Sequence, residues 1–429
     1  MNFKLPEVPW SQIARLTGDL PIFHLNQAPV IRPKILPEVI HPVIVVPGFL
    51  GSWPSAFAIT GGKLDPVTGV YTNLIEALQR IGYVPGISLF PFPFDWRLGI
   101  EELGTRLGRE IERIRQLSPL AAEKRSSVKV NYSKVDIVAH SMGGLVCRAY
   151  LQGEAYAHDV SRVALVATPN AGVVAAYYGY EGGETTYIGI PTEGAKSMIA
   201  LMDARENKNL VSRAKLTYLS VRGQADYNMQ QYLSEQTASV RDLLPVGRAN
   251  YLYSQSEAGQ EKPYPFGSPP GYPVNASLEK LNTPEQLARL DGVEEIYCFY
   301  SNSMTTRRRI LVEDRYTQSS PLYQHGYPVN PQPAQNFGPG DTIVSEESAR
   351  LELPLQKPGG QPWQVRVINQ EVSSLLNTKL DHVQLVADPA PVRHLLTYLT
   401  YRAATPLTPD LWDGPSISQR KPNYAALFI

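Results

Sequence analysis

Val135-Asp136-Ile137-Val138-Ala139-His140-Ser141-Met142-Gly143-Gly144-Leu145 sets a serine between an apolar, β-branched run and the start of a helix-compatible segment. Small residues, Ala139 and Gly143, stand two positions to either side of it. A strand that turns directly into a helix leaves no room for larger side chains at those positions, and it thrusts the intervening hydroxyl clear of the backbone. The helix start beneath the serine favours negative charge as it develops. Gly143-Gly144 fits neither a G-x-G-x-x-G frame nor a phosphate-binding loop with its lysine, so a nucleotide-binding turn is the poorer reading. The stretch predicts a nucleophile elbow with Ser141 as the nucleophile.

Upstream, Val43-Ile44-Val45-Val46 is a continuous β-branched run stopped by Pro47-Gly48, the pattern of a strand covered on both faces. A helical segment over 73–81 and an apolar run over 87–94 follow. Ile100, Leu103, Leu107, Ile111, Ile114 and Leu117 then recur at spacings of three and four, which predicts an amphipathic helix lying on the sheet. Strands over 135–138 and 163–166, with a helix from Gly143 between them, complete a β-α-β rhythm. The fold class is α/β, a doubly wound and mostly parallel sheet.

Beyond Thr168-Pro169-Asn170 the rhythm lapses until the strand-like Glu295 to Tyr300. A break of that length is expected to be a cap or lid rather than slack. An extended stretch over 309–313, a Pro/Gly/Asn loop over 321–340, a last strand over 363–368 and a closing helix with Val392, Leu395, Leu396 and Leu399 come after it. The expected division is an N-terminal strap over 1–42, a first core part over 43–171, a cap or lid insertion over 172–290 and a second core part over 291–429.

With 429 residues the chain has ample material for a proper core, and its 43% hydrophobic and 19% charged residues are ordinary for a globular protein. Forty Lys and Arg balance 40 Asp and Glu, so no net field recruits nucleic acid or an anionic membrane. Two cysteines, Cys147 and Cys298, cannot build a disulfide framework and read as small buried hydrophobes. The 37 prolines and 24 tyrosines imply long ordered loops. No charged-then-apolar leader and no run near the 18 or so residues of a membrane span stands out, so a cytoplasmic protein that meets membranes only at their surface is expected. The histidines are scattered and no His-x-x-x-His or Cys-x-x-Cys occurs, so neither metal nor cofactor is expected.

A serine hydroxyl becomes nucleophilic only when an imidazole takes its proton and a carboxylate holds that imidazole in the right tautomer. In folds with such an elbow the chain order is serine, acid, histidine. His382, in the loop between the last strand and the closing helix, is the preferred base. His394 is expected on the solvent face of that helix, His158 and His325 in loops with no strand end behind them, and His140 as a packing residue aimed away from the serine oxygen. Asp341, after Gly338-Pro339-Gly340 and before Thr342-Ile343-Val344, is the preferred acid, with Asp314 and Asp381 as fallbacks. Backbone donors for an oxyanion are expected from Met142 and from Phe49, the latter in the loop Pro47 to Gly51. Leu50 and Trp53 are expected to line the pocket beside an exposed Phe49.

Pro47-Gly48-Phe49-Leu50-Gly51-Ser52, Phe94-Asp95-Trp96-Arg97, Ala139-His140-Ser141-Met142-Gly143-Gly144, Cys298-Phe299-Tyr300, Gly340-Asp341-Thr342 and His382 together resemble the lecithin:cholesterol acyltransferase family, which includes lysosomal phospholipase A and phospholipid:diacylglycerol acyltransferases. Asp-Trp-Arg is the most specific element, because it is no general feature of the α/β-hydrolase fold. The resemblance implies that fold, triad roles for Ser141, Asp341 and His382, oxyanion donors at Phe49 and Met142, and lipid acyl esters as substrates. Two departures are visible. The family's acid motif usually reads Gly-Asp-Gly-Thr, and here the second glycine is missing; the secreted members staple a lid loop with a disulfide, and residues 50–75 hold no cysteine. Thr168-Pro169-Asn170-Ala171-Gly172 and Ser239 to Pro245 resemble bacterial lipases and esterases instead.

The expected function is a serine acyl hydrolase or O-acyltransferase on lipid acyl esters, working through an acyl-enzyme. An esterase on small soluble esters and a non-catalytic binding module of the same fold are the alternatives. Apolar Phe49 to Phe57 and the tyrosine-rich cap suggest a lipid substrate and contact with a membrane surface, and Arg307-Arg308-Arg309 reads either as a phosphate-facing patch or as a solvated hairpin edge. Oligomeric state is open.

Overall fold

The computed structural model describes residues 39–53, 63–64, 69–117, 129–188, 191–206, 209–223, 227–246, 251–263, 274–315, 322–351, 365–369 and 379–401. The expected strap over 1–42 lies almost wholly outside them.

Six strands form the central sheet: β1 (Val43–Val46), β2 (Leu89–Pro91), β3 (Val135–His140), β4 (Val160–Val166), β5 (Glu295–Tyr300) and β6 (Val365–Asn369). Their spatial order is β6-β5-β4-β3-β1-β2, and every pairing within it is parallel. Strands β1, β3, β4 and β5 are buried along their whole length and are largely apolar, with the buried charges Asp136 of β3 and Arg162 of β4 paired at 3.0 Å. Four helices cover the sheet: α1 (Thr72–Arg80), α2 (Ile100–Arg115), α3 (Met142–Leu151) and α4 (Pro389–Tyr401). α2 packs on α3 and α1 on α4, giving the two layers that a parallel sheet with both faces buried requires. The six apolar positions expected of α2 hold as follows: Ile100, Leu103, Leu107, Ile111 and Ile114 are fully buried, and Leu117 packs against the core just beyond the helix end.

Strand order places the site. From β1 the chain moves outward to β2, then returns to the other side of β1 for β3 and continues from there to β6. The direction of winding therefore switches between β1 and β3, and the carboxyl ends of these two strands flank the crevice where sheets of this type bind ligands. The loop after Val46 and the turn at Ser141 both lie there, side by side in register, since Val46 pairs with Ala139.

The expected insertion over 172–290 carries short helices and a paired strand, Leu252–Gln255. It is tied to the core at several points. Asp242 Oδ2 accepts from the Ile100 N–H at the start of α2 (2.8 Å), and Ser239 Oγ donates to the Trp96 carbonyl. Two tyrosines at its start are core, not surface: Tyr177 and Tyr178 are buried and pack their rings against Tyr323, tilted and edge-on respectively, and Tyr177 also packs edge-on against Tyr251. Cys147 and Cys298 are free and buried, and burial pushes both thiols up, Cys298 to about 11.

The steric reading of the elbow has a direct test. A Cβ on Gly143 would stand 2.7 Å from the Val46 carbonyl oxygen and closer still to that of Pro47, both rigid backbone atoms. Gly143→Ala should therefore destabilise the fold by about 2 kcal/mol, read as a lower midpoint of thermal unfolding; an unchanged midpoint would contradict the packing.

Candidate active site

Ser141 sits between β3 and α3 with φ 55° and ψ −128°, a conformation that costs a non-glycine residue of order 1–3 kcal/mol and persists only where packing enforces it. Its N–H donates to the Val166 carbonyl at the end of β4 (2.8 Å), and its carbonyl accepts from Gly144 (2.9 Å). On the other side the β1 loop presses in: a Cβ on Gly48 would lie 2.8 Å from Ser141 Cβ, so only glycine lets the two chains approach. The hydroxyl is directed out of this turn toward His382, with Oγ 2.8 Å from Nε2.

His382 is held at two points by Asp341. Its backbone N–H donates to the Asp341 carbonyl (2.8 Å), and its Nδ1 lies 2.8 Å from Asp341 Oδ2. A carboxylate can only accept, so Nδ1 carries the proton and Nε2 presents its lone pair to the serine hydroxyl. Asp341 is buried, and its other oxygen accepts from the N–H groups of Val344 (2.7 Å) and Ile343 (3.1 Å), which fix the carboxylate plane. The structure thus brings Ser141, His382 and Asp341 into one hydrogen-bonded line.

The fallback carboxylates lie elsewhere. Asp381 Oδ1 accepts from the N–H groups of Val383 and Gln384 at the head of the short helix Gln384–Ala387, and Asp314 is exposed. Among the other histidines, His158 is exposed and His325 is buried against Glu181 (2.8 Å). His394 departs from expectation: it is half-buried, stacked on Tyr398 with ring centroids 5.1 Å apart, and burial pushes its pKa down. His140 departs too, because it does more than pack. Its Nδ1 is 2.9 Å from Tyr71 Oη and its Nε2 3.1 Å from the His382 carbonyl. Burial, reinforced by the His382 ring beside it, pushes its pKa from 6.5 to about 3, so the ring is neutral. No spacing or motif around Tyr71 signals this contact; only the fold brings it within reach.

The loop Pro47 to Gly51 is less exposed than expected. Leu50 is 8% exposed, at φ 57°, and Phe49 is half-buried with its ring edge-on to Trp96 at 4.8 Å. A folded parallel sheet offers that loop an apolar shelf, and burying two large side chains on it is worth more than leaving them in water. Trp53 falls in the two-residue strand Ser52–Trp53, and its side chain lies outside the described residues. Met142 is the first residue of α3, a position whose N–H has no intrahelical acceptor. The Asp-Trp-Arg element explains itself as a bracket. Trp96 is buried under Phe49, Ser52 Oγ bonds both the N–H and carbonyl of Phe94 (3.0 and 2.7 Å), and Arg97 grips Asp95 bidentately while facing Asp203 of the insertion at 3.8 Å. The arginine run is likewise engaged: Arg307 lies over the Phe337 ring, Arg308 pairs with Glu347, and Arg309 pairs with Glu261 (2.7 Å).

A parallel sheet with this winding, a strained serine after β3, and an acid and a histidine after β5 and β6 define the α/β-hydrolase fold. Within that fold, residues 46–207 match the lecithin:cholesterol acyltransferase family. The matched span contains the Gly48 loop, Asp95 to Arg97 and Ser141 and ends before Asp341 and His382, so the last two enter the site through geometry. No curated protein matches the chain. Among solved structures, a Bacillus licheniformis lipase in mature form is similar at 14% identity over 87% of this chain and 96% of its own, with a TM-score of 0.39. A Rhodococcus esterase is similar at 13% identity over 85% and 92%, TM-score 0.36. A Legionella pneumophila phospholipase matches at 15% identity over 33% and 27%, TM-score 0.21. The fold assignment rests on the strand order.

The missing glycine of the acid motif has left a trace. Thr342 occupies that position with φ 84°, its N–H held by Thr306 Oγ1 at 2.8 Å. The backbone keeps the turn that glycine would adopt freely, at a cost. Thr342→Gly should stabilise the protein by about 1 kcal/mol, the relieved strain exceeding the greater entropy of the unfolded glycine. Denaturant unfolding of the two proteins measures it, and a destabilised variant would contradict the strain.

Proposed function

We propose that the protein is a serine acyl hydrolase or O-acyltransferase acting on lipid acyl esters. The observation that carries the reading is the continuous line Ser141 Oγ, His382 Nε2, His382 Nδ1, Asp341 Oδ2, with both links at 2.8 Å. In this mechanism Ser141 Oγ attacks the ester carbonyl carbon as its proton passes to His382 Nε2, and the imidazolium is stabilised by Asp341. The carbonyl oxygen becomes an oxyanion received by the N–H groups of Met142 and Phe49, a reading supported by the close approach of Gly48, the neighbour of Phe49, to Ser141. Collapse breaks the ester bond, His382 returns its proton to the departing alkoxide, and an acyl-Ser141 remains. Water or an acceptor alcohol then gives up a proton to His382 and attacks the acyl carbon, and as the acyl–Oγ bond breaks His382 returns that proton to Ser141 Oγ. Hydrolysis and transfer share every residue up to that last nucleophile.

Lipid esters are favoured as substrates by the family match over residues 46–207. A surface feature supports access from a membrane. Helices Thr192–Glu206 and Leu210–Val221 pack together, and where the second begins Leu210 and Val211 are 77% and 80% exposed. Two adjacent apolar side chains so exposed, with Lys215 exposed one turn further on, suit the boundary of a lipid surface. Among the described residues no helix is long and apolar enough to cross a membrane.

Ser141→Ala should fold normally, lose labelling by a fluorophosphonate probe and lose ester cleavage by at least about 10⁴-fold, while Asp341→Asn should keep the serine but drop kcat about 10⁴-fold. Wild-type protein that neither labels nor cleaves phospholipid or acylglycerol esters would overturn the reading. Released fatty acid alone assigns a hydrolase, and an acylated alcohol assigns a transferase. For the surface, the double variant L210S/V211S should float less with phosphatidylcholine vesicles while cleaving a soluble p-nitrophenyl ester at the wild-type rate; unchanged flotation would rule that patch out.

A further inference from the structure

We infer that Tyr71 and His140 are positioning residues that tie the oxyanion loop to the main chain of His382 through one directed chain of hydrogen bonds. What the chain serves rests on the proposed acyl-transfer reading; that it exists rests on geometry. Gly48 N–H lies 2.8 Å from Tyr71 Oη, Tyr71 Oη 2.9 Å from His140 Nδ1, and His140 Nε2 3.1 Å from the His382 carbonyl oxygen. All three links are buried, with Tyr71 and His140 each 4% exposed.

The proton positions follow from the two ends. The His382 carbonyl can only accept, so His140 Nε2 carries a proton. The ring is neutral in its buried site, so Nδ1 is bare and the proton in the middle link belongs to Tyr71. Gly48 N–H can only donate, and it donates to the same phenolic oxygen. Each group thus orients the next, in the way buried polar networks rigidify the parts they join. The groups facing the His140 ring are Tyr71, edge-on at 5.7 Å from the turn ahead of α1, and the His382 ring at 4.9 Å.

Both ends matter to the reacting atoms. Gly48 abuts Ser141 and precedes Phe49, the loop's oxyanion donor. The His382 backbone is fixed by its own N–H to the Asp341 carbonyl on one side and, through its carbonyl, by His140 on the other. Losing the chain removes none of the three reacting groups but lets the Gly48 loop and the His382 backbone shift relative to one another. Displacements of that order affect kcat far more than substrate binding.

The test uses the full-length protein with Tyr71→Phe, which keeps the ring and removes only the hydroxyl, together with His140→Leu and His140→Gln. A glutamine amide both accepts and donates, so it can bridge Tyr71 Oη and the His382 carbonyl. Turnover of a p-nitrophenyl ester is normalised to the fraction of sites a fluorophosphonate titrates, and thermal midpoints are recorded alongside. Tyr71→Phe and His140→Leu should lower kcat roughly 10- to 100-fold with KM little changed, and His140→Gln should recover most of that loss. Unchanged kcat per active site in Tyr71→Phe, whatever its midpoint, reduces the pair to packing and overturns the inference. Separately, ¹⁵N NMR of histidine-labelled wild type should show the His140 ring as the neutral Nε2–H form throughout pH 5–8. An Nδ1–H or titrating ring overturns the chain regardless of activity. A wild type inert to ester and phosphonate with the Nε2–H form present overturns the acyl-transfer reading while upholding the chain.

Discussion

The left-handed backbone of Ser141 is the constraint on which the surrounding structure depends. A residue at φ 55° following a strand pays a local cost that must be offset by what the turn makes available. The turn is clamped from below by the Val166 carbonyl, from the side by Gly48, and from above by Gly143 under the Val46 and Pro47 carbonyls. The clamps come from two other parts of the chain, the end of β4 and the loop after β1, so the sheet must form before the hydroxyl can be presented. The parallel winding that reverses between β1 and β3 supplies the space into which it points.

A second layer of order fixes the groups that face that hydroxyl. Asp341 is saturated by two backbone donors and one ring nitrogen, so its carboxylate has a single orientation, and His382 inherits it. The stretch 172–290 braces this part of the core. Its Ser239 and Asp242 hold Trp96 and the head of α2, and Trp96 in turn supports Phe49. The most distinctive sequence element, Asp95-Trp96-Arg97, therefore acts as a joint between the Phe49 loop and residues 203–242.

Much of this was legible in the sequence for a simple reason. Strands buried on both faces are largely apolar, so Val43 to Val46 and the run from Ile296 to Tyr300 stood out, and a sharp strand-to-helix turn must be flanked by small side chains, so Ser141 did as well. Asp341 and His382 were accessible through chain order and strand ends. The exposure of the Phe49 loop was misread because nothing local shows that Trp96, 47 positions on, provides a shelf for it. The tyrosines of residues 172–290 were ambiguous between lipid contact and core; Tyr177 and Tyr178 are core, packed against Tyr323, whereas Tyr187 and Tyr218 are exposed. Tyr71 was invisible: its role depends on a neighbour 69 residues away and on proton positions that no pattern encodes.

A crystal structure of the protein after reaction with a phosphonate ester tests the central claim most directly. The account predicts phosphorus bonded to Ser141 Oγ, a phosphoryl oxygen within hydrogen-bonding reach of the Met142 and Phe49 N–H groups, and His382 still seated on Asp341. An adduct on another residue, or a His382 ring turned away from the modified serine, would contradict it.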